Sequence, residues 1–360
     1  MARAESVASA ASAAGAASSA RAVDVDVVVV GGGPVGLAAA IEARLAGLSV
    51  TVIEPREGSI DKACGEGIMP GAIPLLDRLG VHPNGHPLVG VRYTDGTHSV
   101  EHHFATGFGL GVRRTTLHDA LHSRAEALGA AFVGGRVAEI EQGDGWVEAG
   151  GIRASWLLAA DGLHSTVART VGLSVTAKPS RRRFGMRQHF AQEPWSDLIE
   201  VHWNRLGEVY VTPTAEGIVG IAVLARQGTD FEAAVEASPE LHDRLGEPAT
   251  QLRGAGPFGQ RTTARTAGRV LLVGDASGYV DAITGEGLRL GFDQARAAIA
   301  AVIEDSPRAY EREWVRVTRD FRVLTTGLAQ AASGPLHGAI VPLARALPWA
   351  FRGAVERLAR

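Results

Sequence analysis

"VDVVVVGGGPVGLAAAIEARLAGLSVTVIE", residues 25–54, decides how this chain folds. Val27 to Val30 form an uninterrupted β-branched run, which suits a strand covered on both faces. Glycines follow at once. From Pro34 to about Ala46 the Ala-rich stretch reads as a helix with proline in its first turn, and "SVTVIE" reads as a second strand. Strand, helix and strand in this order make a βαβ unit. Gly31, Gly33 and Gly36 stand at the G-x-G-x-x-G spacing, which supplies a tight turn, backbone approach to a pyrophosphate and close helix-strand packing. The free N–H groups at the helix start would carry the phosphate charge. Taken alone, such glycines also fit an ordinary turn. Glu54 closes the second strand as an acid placed to accept from ribose hydroxyls, and that conjunction points to a dinucleotide with an unphosphorylated ribose, FAD or NAD rather than NADP.

The rest of the composition is compatible with an enzyme. With 360 residues, 46% of them apolar, the chain can bury a large core, and a net charge of -3 offers no concentrated positive field for nucleic acid. The one cysteine, Cys64, excludes an intrachain disulfide framework and a thiolate metal site, and fits a cytoplasmic setting. Residues 1–23 open with "MARAESVASAASAAGAASSAR", which reads as a disordered extension; an organellar transit peptide is the alternative. No stretch reaches the ~18 to 20 consecutive apolar residues of a membrane span.

A second phosphate-binding βαβ is absent, so one dinucleotide is expected to be held tightly. Two later segments carry further signals. "SWLLAADGLHSTVAR" reads as a strand ending in Asp161-Gly162, then a helix from near Ser165. "GRVLLVGDASGYVDAITGEGLRLGF" reads as a strand over Val270 to Val273, then Gly274-Asp275, a loop and a long helix. Acids at the carboxyl ends of parallel strands sit where ligands bind.

The glycine fingerprint, the "ADG" at 160–162 and the "GDA" at 274–276 together resemble an FAD-dependent superfamily, that of the para-hydroxybenzoate-hydroxylase-like monooxygenases and the geranylgeranyl reductases. The resemblance spans about residues 24–300. It implies an α/β fold: a Rossmann-like FAD-binding domain with an inserted antiparallel β-sheet substrate domain and C-terminal helices. It also implies that Glu54 holds the adenosine ribose, that Arg114 lies near the FAD phosphates, and that Asp275 binds the ribityl chain. Asp161 would lie near the site, and a plain turn role suits it equally. Gly285, Gly287 and Leu288 would bring backbone N–H groups and a helix N-terminus against the flavin ring.

Two loops, "KACGEGIMP" at 62–70 and "GDASGYVDAITGEG" at 274–287, look closer to the reductase branch. The second departs from both the hydroxylase and the reductase patterns at Gly278 and Ala282, and these positions make it look less like a hydroxylase. The reductases' aromatic motif is reduced here to "EVYVTP", with Tyr210 and Pro213. Cys64 reads either as a small core residue or, beside Lys62, as a contact to flavin or substrate.

The expected organisation is an FAD-binding domain over 24–84, 108–178 and 255–304, a substrate domain over 85–107 and 179–254, and a helical cap over 305–360. "LVGVRYTDGTHSVEHHF" predicts a hairpin turning at Asp95-Gly96. His98 and His102 share a strand face that reads as exposed, and no metal is expected. The run Arg181-Arg182-Arg183 reads as a solvated turn. Ser306-Pro307 starts a helix with Tyr310, Trp314, Val317, Phe321, Leu324 and Leu328 on one stripe. The closing "GAIVPLARALPWAFRGAVERLAR" reads as short helices that cap a substrate tunnel, the alternative being a peripheral membrane contact.

These readings predict an FAD oxidoreductase with NADH or NADPH as transient reductant and a small-molecule apolar substrate. Hydroxylation of a small or medium apolar or aromatic metabolite through a flavin C4a-hydroperoxide stands first. Ene-reduction of an isoprenoid or other alkene is the alternative, with Cys64 or Tyr210 as proton donor. A non-redox flavin protein is a lesser alternative, because fold does not fix function.

Overall fold

The computed structural model describes residues 22–175, 183–215 and 217–360. Most of the 1–23 extension, and Arg181 and Arg182, lie outside the described residues. In chain order, β1 (Val25–Val30), α1 (Pro34–Leu45) and β2 (Val50–Glu54) form the opening unit, and β3 (Gly90–Thr94) and β4 (Ser99–His103) form the hairpin. Next come α2 (Arg114–Ala127), β5 (Ala131–Gly134), β6 (Ile152–Ala159) and the short α3 (Thr166–Thr170). Four longer strands follow: β7 (Arg183–Ala191), β8 (Leu198–Asn204), β9 (Gly207–Ala215) and β10 (Ile218–Arg226). The chain closes through β11 (Val270–Leu272), α4 (Gly287–Ile303), α5 (Pro307–Ser333), α6 (Ile340–Ala346) and α7 (Pro348–Ala359).

Two large sheets result. The first runs β11-β6-β1-β2-β5 with every one of these pairs parallel. Its central strand explains the valine run: Val27 and Val29 pack into a cluster with α1, α2 and α4, while Val28 and Val30 pack into a second cluster on the opposite face. Alternate side chains of a strand face opposite sides, so a strand covered twice has no use for polar residues. Burying each such side chain contributes about 1.5–3 kcal/mol. Gly36 lets α1 lie close to this sheet, because a Cβ there would fall 1.8 Å from the carbonyl oxygen of Gly31. Gly31 itself has φ +107°, which a side chain would strain.

The second sheet runs β7-β10-β9-β8-β3-β4, antiparallel except where β8 meets β3 in parallel. The expected hairpin is therefore stitched onto strands from much later in the chain. One face of this sheet is covered by the short helix Phe231–Glu236 and its neighbours, the other by α5 to α7.

Two details differ from the sequence reading. On α5 the deepest positions after Trp314 are Thr318 and Thr325, whereas Val317, Phe321, Leu324 and Leu328 are half-buried. Each threonine has a local partner: Thr318 Oγ1 donates to the Trp314 carbonyl at 2.8 Å, and Thr325 Oγ1 lies 3.0 Å from Thr284 Oγ1. His102, expected on an exposed face, is covered by α7, with its Nε2 2.7 Å from Glu356 Oε1.

Candidate active site

One cavity of about 810 Å³ takes its lining from both sheets. Every site residue expected from the sequence lines it except Gly36, which packs behind the glycine loop: Gly31, Gly33, Glu54, Cys64, Arg114, Asp161, Tyr210, Asp275, Gly285, Gly287 and Leu288. At the cradle end, a Cβ on Gly33 would meet no protein atom within 4 Å, so the backbone there faces open space. The Gly32 N–H donates to Glu54 Oε2 at 2.8 Å, and His118 Nε2 lies 3.1 Å from the Gly32 carbonyl oxygen. Burial pushes the Glu54 carboxyl up, but hydrogen bonds from Arg56 and Gly32 outweigh it and hold it below its usual range.

Charge gathers beside the cradle. Lys62, Arg114 and Asp275 act on one another across the cavity. Burial pushes the Asp275 carboxyl up while Lys62 and Arg114 pull it down. The Lys62 ammonium is lowered by burial, against the attraction of Asp275. Two cations facing one acid leave a positive excess where phosphates would rest. Arg114 Nε, Asp161 Oδ1 and Glu286 Oε1 are buried without hydrogen-bond partners among the described residues. Orphaned polar atoms around a cavity are what a polar ligand would satisfy. Asp161 also plays the turn role: its Oδ2 accepts from the Thr166 and Val167 N–H groups at the start of α3. The glycine cradle, the positive excess and the orphaned Arg114 Nε fit a dinucleotide diphosphate, while the orphaned carboxyl oxygens of Asp161 and Glu286 suit hydrogen-bond donors elsewhere on such a ligand.

The segment 281–288 also lines the cavity and leads into α4. The Tyr210 hydroxyl, from β9, donates to the Ile283 carbonyl at 2.9 Å, and Asp281 Oδ1 accepts from the Ile283 N–H at 3.0 Å. Glu286, at the N-cap of α4, pairs with Arg289 Nε at 2.6 Å, and burial pushes its carboxyl up to about 7. Cys64 Sγ accepts from the Glu66 N–H at 3.4 Å and faces the cavity.

Two ionic clusters tie the second sheet to loop residues at 61–66 and 281, and sequence reading missed both. Arg183, read as part of a solvated turn, is only 6% exposed and pairs with Glu208 and Asp281. Glu66 accepts from the Arg114 N–H at 2.9 Å and lies 2.6 Å from His189 Nε2, while Arg187 pairs with Asp61. A signal was present in β7, where Arg183, Arg187 and His189 fall at even spacing on the buried face of a strand.

Away from the cradle the cavity turns apolar. Val201 and Leu224 of the second sheet face Val355 and Leu358 of α7, and Phe351 packs edge-on to Tyr93 with ring centroids 5.1 Å apart. Among the described residues no group of three or more His, Cys, Asp or Glu could hold a metal, and no helix is long and apolar enough to cross a membrane.

Residues 24–306 match the FAD binding domain family. Over 80% of its length the chain is 27% identical to the menaquinone reductase of Mycolicibacterium smegmatis, covering 79% of that protein. Over 80% of its length it is 30% identical to digeranylgeranylglycerophospholipid reductase 1 of Methanothermobacter thermautotrophicus, covering 82% of that protein. The fold is shared with a flavoprotein/dehydrogenase from Cytophaga hutchinsonii, with a TM-score of 0.78 at 18% identity over 93% of this chain and 92% of that one. Match, fold and cradle agree, and the chain belongs to the FAD binding domain family, among its FAD-dependent oxidoreductases.

Proposed function

We propose that this FAD-dependent oxidoreductase takes electrons from NADH or NADPH and saturates a carbon-carbon double bond in a long apolar substrate of polyprenyl type. The observation that carries the reading is the continuity of one cavity, from the glycine cradle to the apolar chamber walled by α7. The sequence reading puts hydroxylation first although its loop motifs lean to the reductase branch. The apolar chamber, and two relatives named menaquinone reductase and digeranylgeranylglycerophospholipid reductase, support reduction ahead of it.

Bound FAD supplies two-electron chemistry at its ring. In this reading Gly31 and Gly33 give the diphosphate backbone N–H contacts, Glu54 holds the ribose, and Lys62, Arg114 and Asp275 surround the phosphate and ribityl portion. Gly285, Gly287 and Leu288 present N–H groups at the start of α4, where a helix terminus favours negative charge. Val201, Leu224 and Leu358 exclude water from the reacting bond. Cys64 faces the cavity and serves as the proton donor, whereas the Tyr210 hydroxyl, already donating to Ile283, positions the 281–286 segment. The reaction balances as alkene plus NAD(P)H plus one proton giving alkane plus NAD(P)+.

Hydroxylation is the second reading. The committed Tyr210 proton favours it, because inserting one oxygen atom of O2 and releasing the other as water needs no acid from the protein in the substrate chamber. The two are separated by incubating the holoenzyme and NADPH or NADH with a menaquinone and with a geranylgeranyl lipid, under nitrogen and in air. A product heavier by two hydrogens under nitrogen, with the gain in the polyprenyl chain and retained on reoxidation in air, supports reduction; one heavier by an oxygen atom, only in air, supports hydroxylation; a gain confined to the quinone ring supports neither. Failure of both nicotinamides to bleach the bound flavin removes the proposal.

A further inference from the structure

The elbow between α6 and α7 points large apolar side chains at solvent. Trp349 is 73% exposed, Leu343 52% and Leu347 43%. The local cause is Pro348, which opens α7 and leaves Leu347 outside helical geometry at φ -124° and ψ 64°. The inward faces of the same helices are already satisfied: Val341, Phe351 and Val355 are buried in the cluster that walls the cavity. A cap over a cavity needs one apolar face. This one has two, and among the described residues nothing of this chain covers the outer one.

The charges around the elbow are one-sided. Arg345, Arg352 and Arg360 are exposed, and Arg357, also exposed, is paired with Asp320 of α5. The one acid between 334 and 360, Glu356, is turned inward to His102 and to the Ala105 N–H at 2.8 Å. That bond ties α7 to the 104–108 loop, whose Phe108 is 54% exposed. A projecting Trp and leucines flanked by arginines match the layered chemistry of a bilayer surface, in which aromatic rings sit at headgroup depth and guanidinium groups meet lipid phosphates.

We infer that the α6–α7 elbow docks on an anionic lipid bilayer, with Leu343, Leu347 and Trp349 inserted at the headgroup boundary and Arg345 and Arg352 on lipid phosphates. The docking helix is also a cavity wall, through Val355 and Leu358, so the membrane meets the protein beside the apolar chamber. The inference stands whichever reaction the chamber hosts, because it concerns the outer face alone.

The test uses the FAD-loaded full chain and vesicles of phosphatidylcholine, with or without phosphatidylglycerol. Sedimentation with the phosphatidylglycerol vesicles is expected, with weaker binding to pure phosphatidylcholine and in high salt. Trp349→Glu with Leu347→Glu should weaken binding by at least about tenfold whereas Trp349→Phe should largely retain it, and Arg345→Glu with Arg352→Glu should abolish the preference for the anionic lipid. Flavin content and NAD(P)H-dependent bleaching in the variants report that the fold is intact. No binding to the anionic vesicles, or binding that the Glu substitutions leave unchanged, overturns the inference. A wild-type dimer in solution that becomes monomeric in the Trp349→Glu, Leu347→Glu variant also overturns it and assigns the face to a second copy of the chain.

Discussion

Arg183 sits between two carboxylates, Glu208 and Asp281, and one cation does not fully compensate two buried acids. Burial pushes Glu208 up to about 7, with Arg183 pulling it down and Asp281 pushing it further up. A carboxyl whose folded value exceeds its ordinary value of 4.5 binds its proton more tightly in the native state. Its contribution is therefore fully present below about pH 4.5 and is lost as pH rises through about 7. Glu208→Gln keeps the shape and cannot ionise. Urea melts of both proteins should show the wild type losing up to about 3 kcal/mol relative to the variant between pH 5 and pH 8. A difference that stays flat across that range would mean Arg183 keeps Glu208 ionised throughout. This cluster was not legible in the sequence, because Arg183, Glu208 and Asp281 are separated by tens of residues; the pairing of β7, β10 and β9 brings the first two together, and the loop before α4 adds the third. Glu54 and Asp275 were legible because Glu54 ends β2 and Asp275 follows closely on β11, in stretches whose neighbours identify them.

At the scale of the element, the βαβ unit was read almost residue for residue: its meaning is local, carried by valines on both faces of β1 and by glycines at fixed offsets. Gly33 and Gly36 separate its two functions. In Gly36→Ala the added carbon falls 1.8 Å from the Gly31 carbonyl oxygen, so α1 must shift. The apoprotein should lose about 1–3 kcal/mol or more, and flavin should be lost as well. In Gly33→Ala the added carbon meets no protein atom. Its apoprotein should melt near the wild-type temperature while retaining less FAD, read from the flavin absorbance after gel filtration. Equal stability losses in the two variants would remove the distinction between packing and approach. The stripe on α5 was less legible, since periodicity favoured Val317 and Leu324. The structure buries Thr318 and Thr325, whose hydroxyls find partners in the helix's own backbone and in Thr284.

At the scale of the molecule, the cavity joins two sheets that share little other core. A ligand filling it binds the native state across that seam and stabilises it by mass action, worth about 4 kcal/mol at a thousandfold excess over Kd. Stripping FAD should lower the melting temperature, and adding it back should restore the loss in proportion to the logarithm of its concentration. A melting temperature indifferent to FAD would show that the sheets are held together without it. Sequence reading found both sheets, because hairpins and alternating strands announce themselves, but it could not place β3 against β8. Nothing in either strand names its partner, and register follows from the packed face.

That seam sets a timetable for synthesis. Gly90 pairs with Leu198, roughly a hundred residues later, so the β3–β4 hairpin leaves the ribosome long before the strand that covers its open edge. At a ribosome's pace the wait is roughly 5–20 s. Through that interval β3 offers a bare edge to any neighbouring nascent chain, and crowding on a polysome becomes the hazard to be measured. The yield of soluble protein should therefore depend on how fast the message is translated between the two strands, even when the finished enzyme is stable.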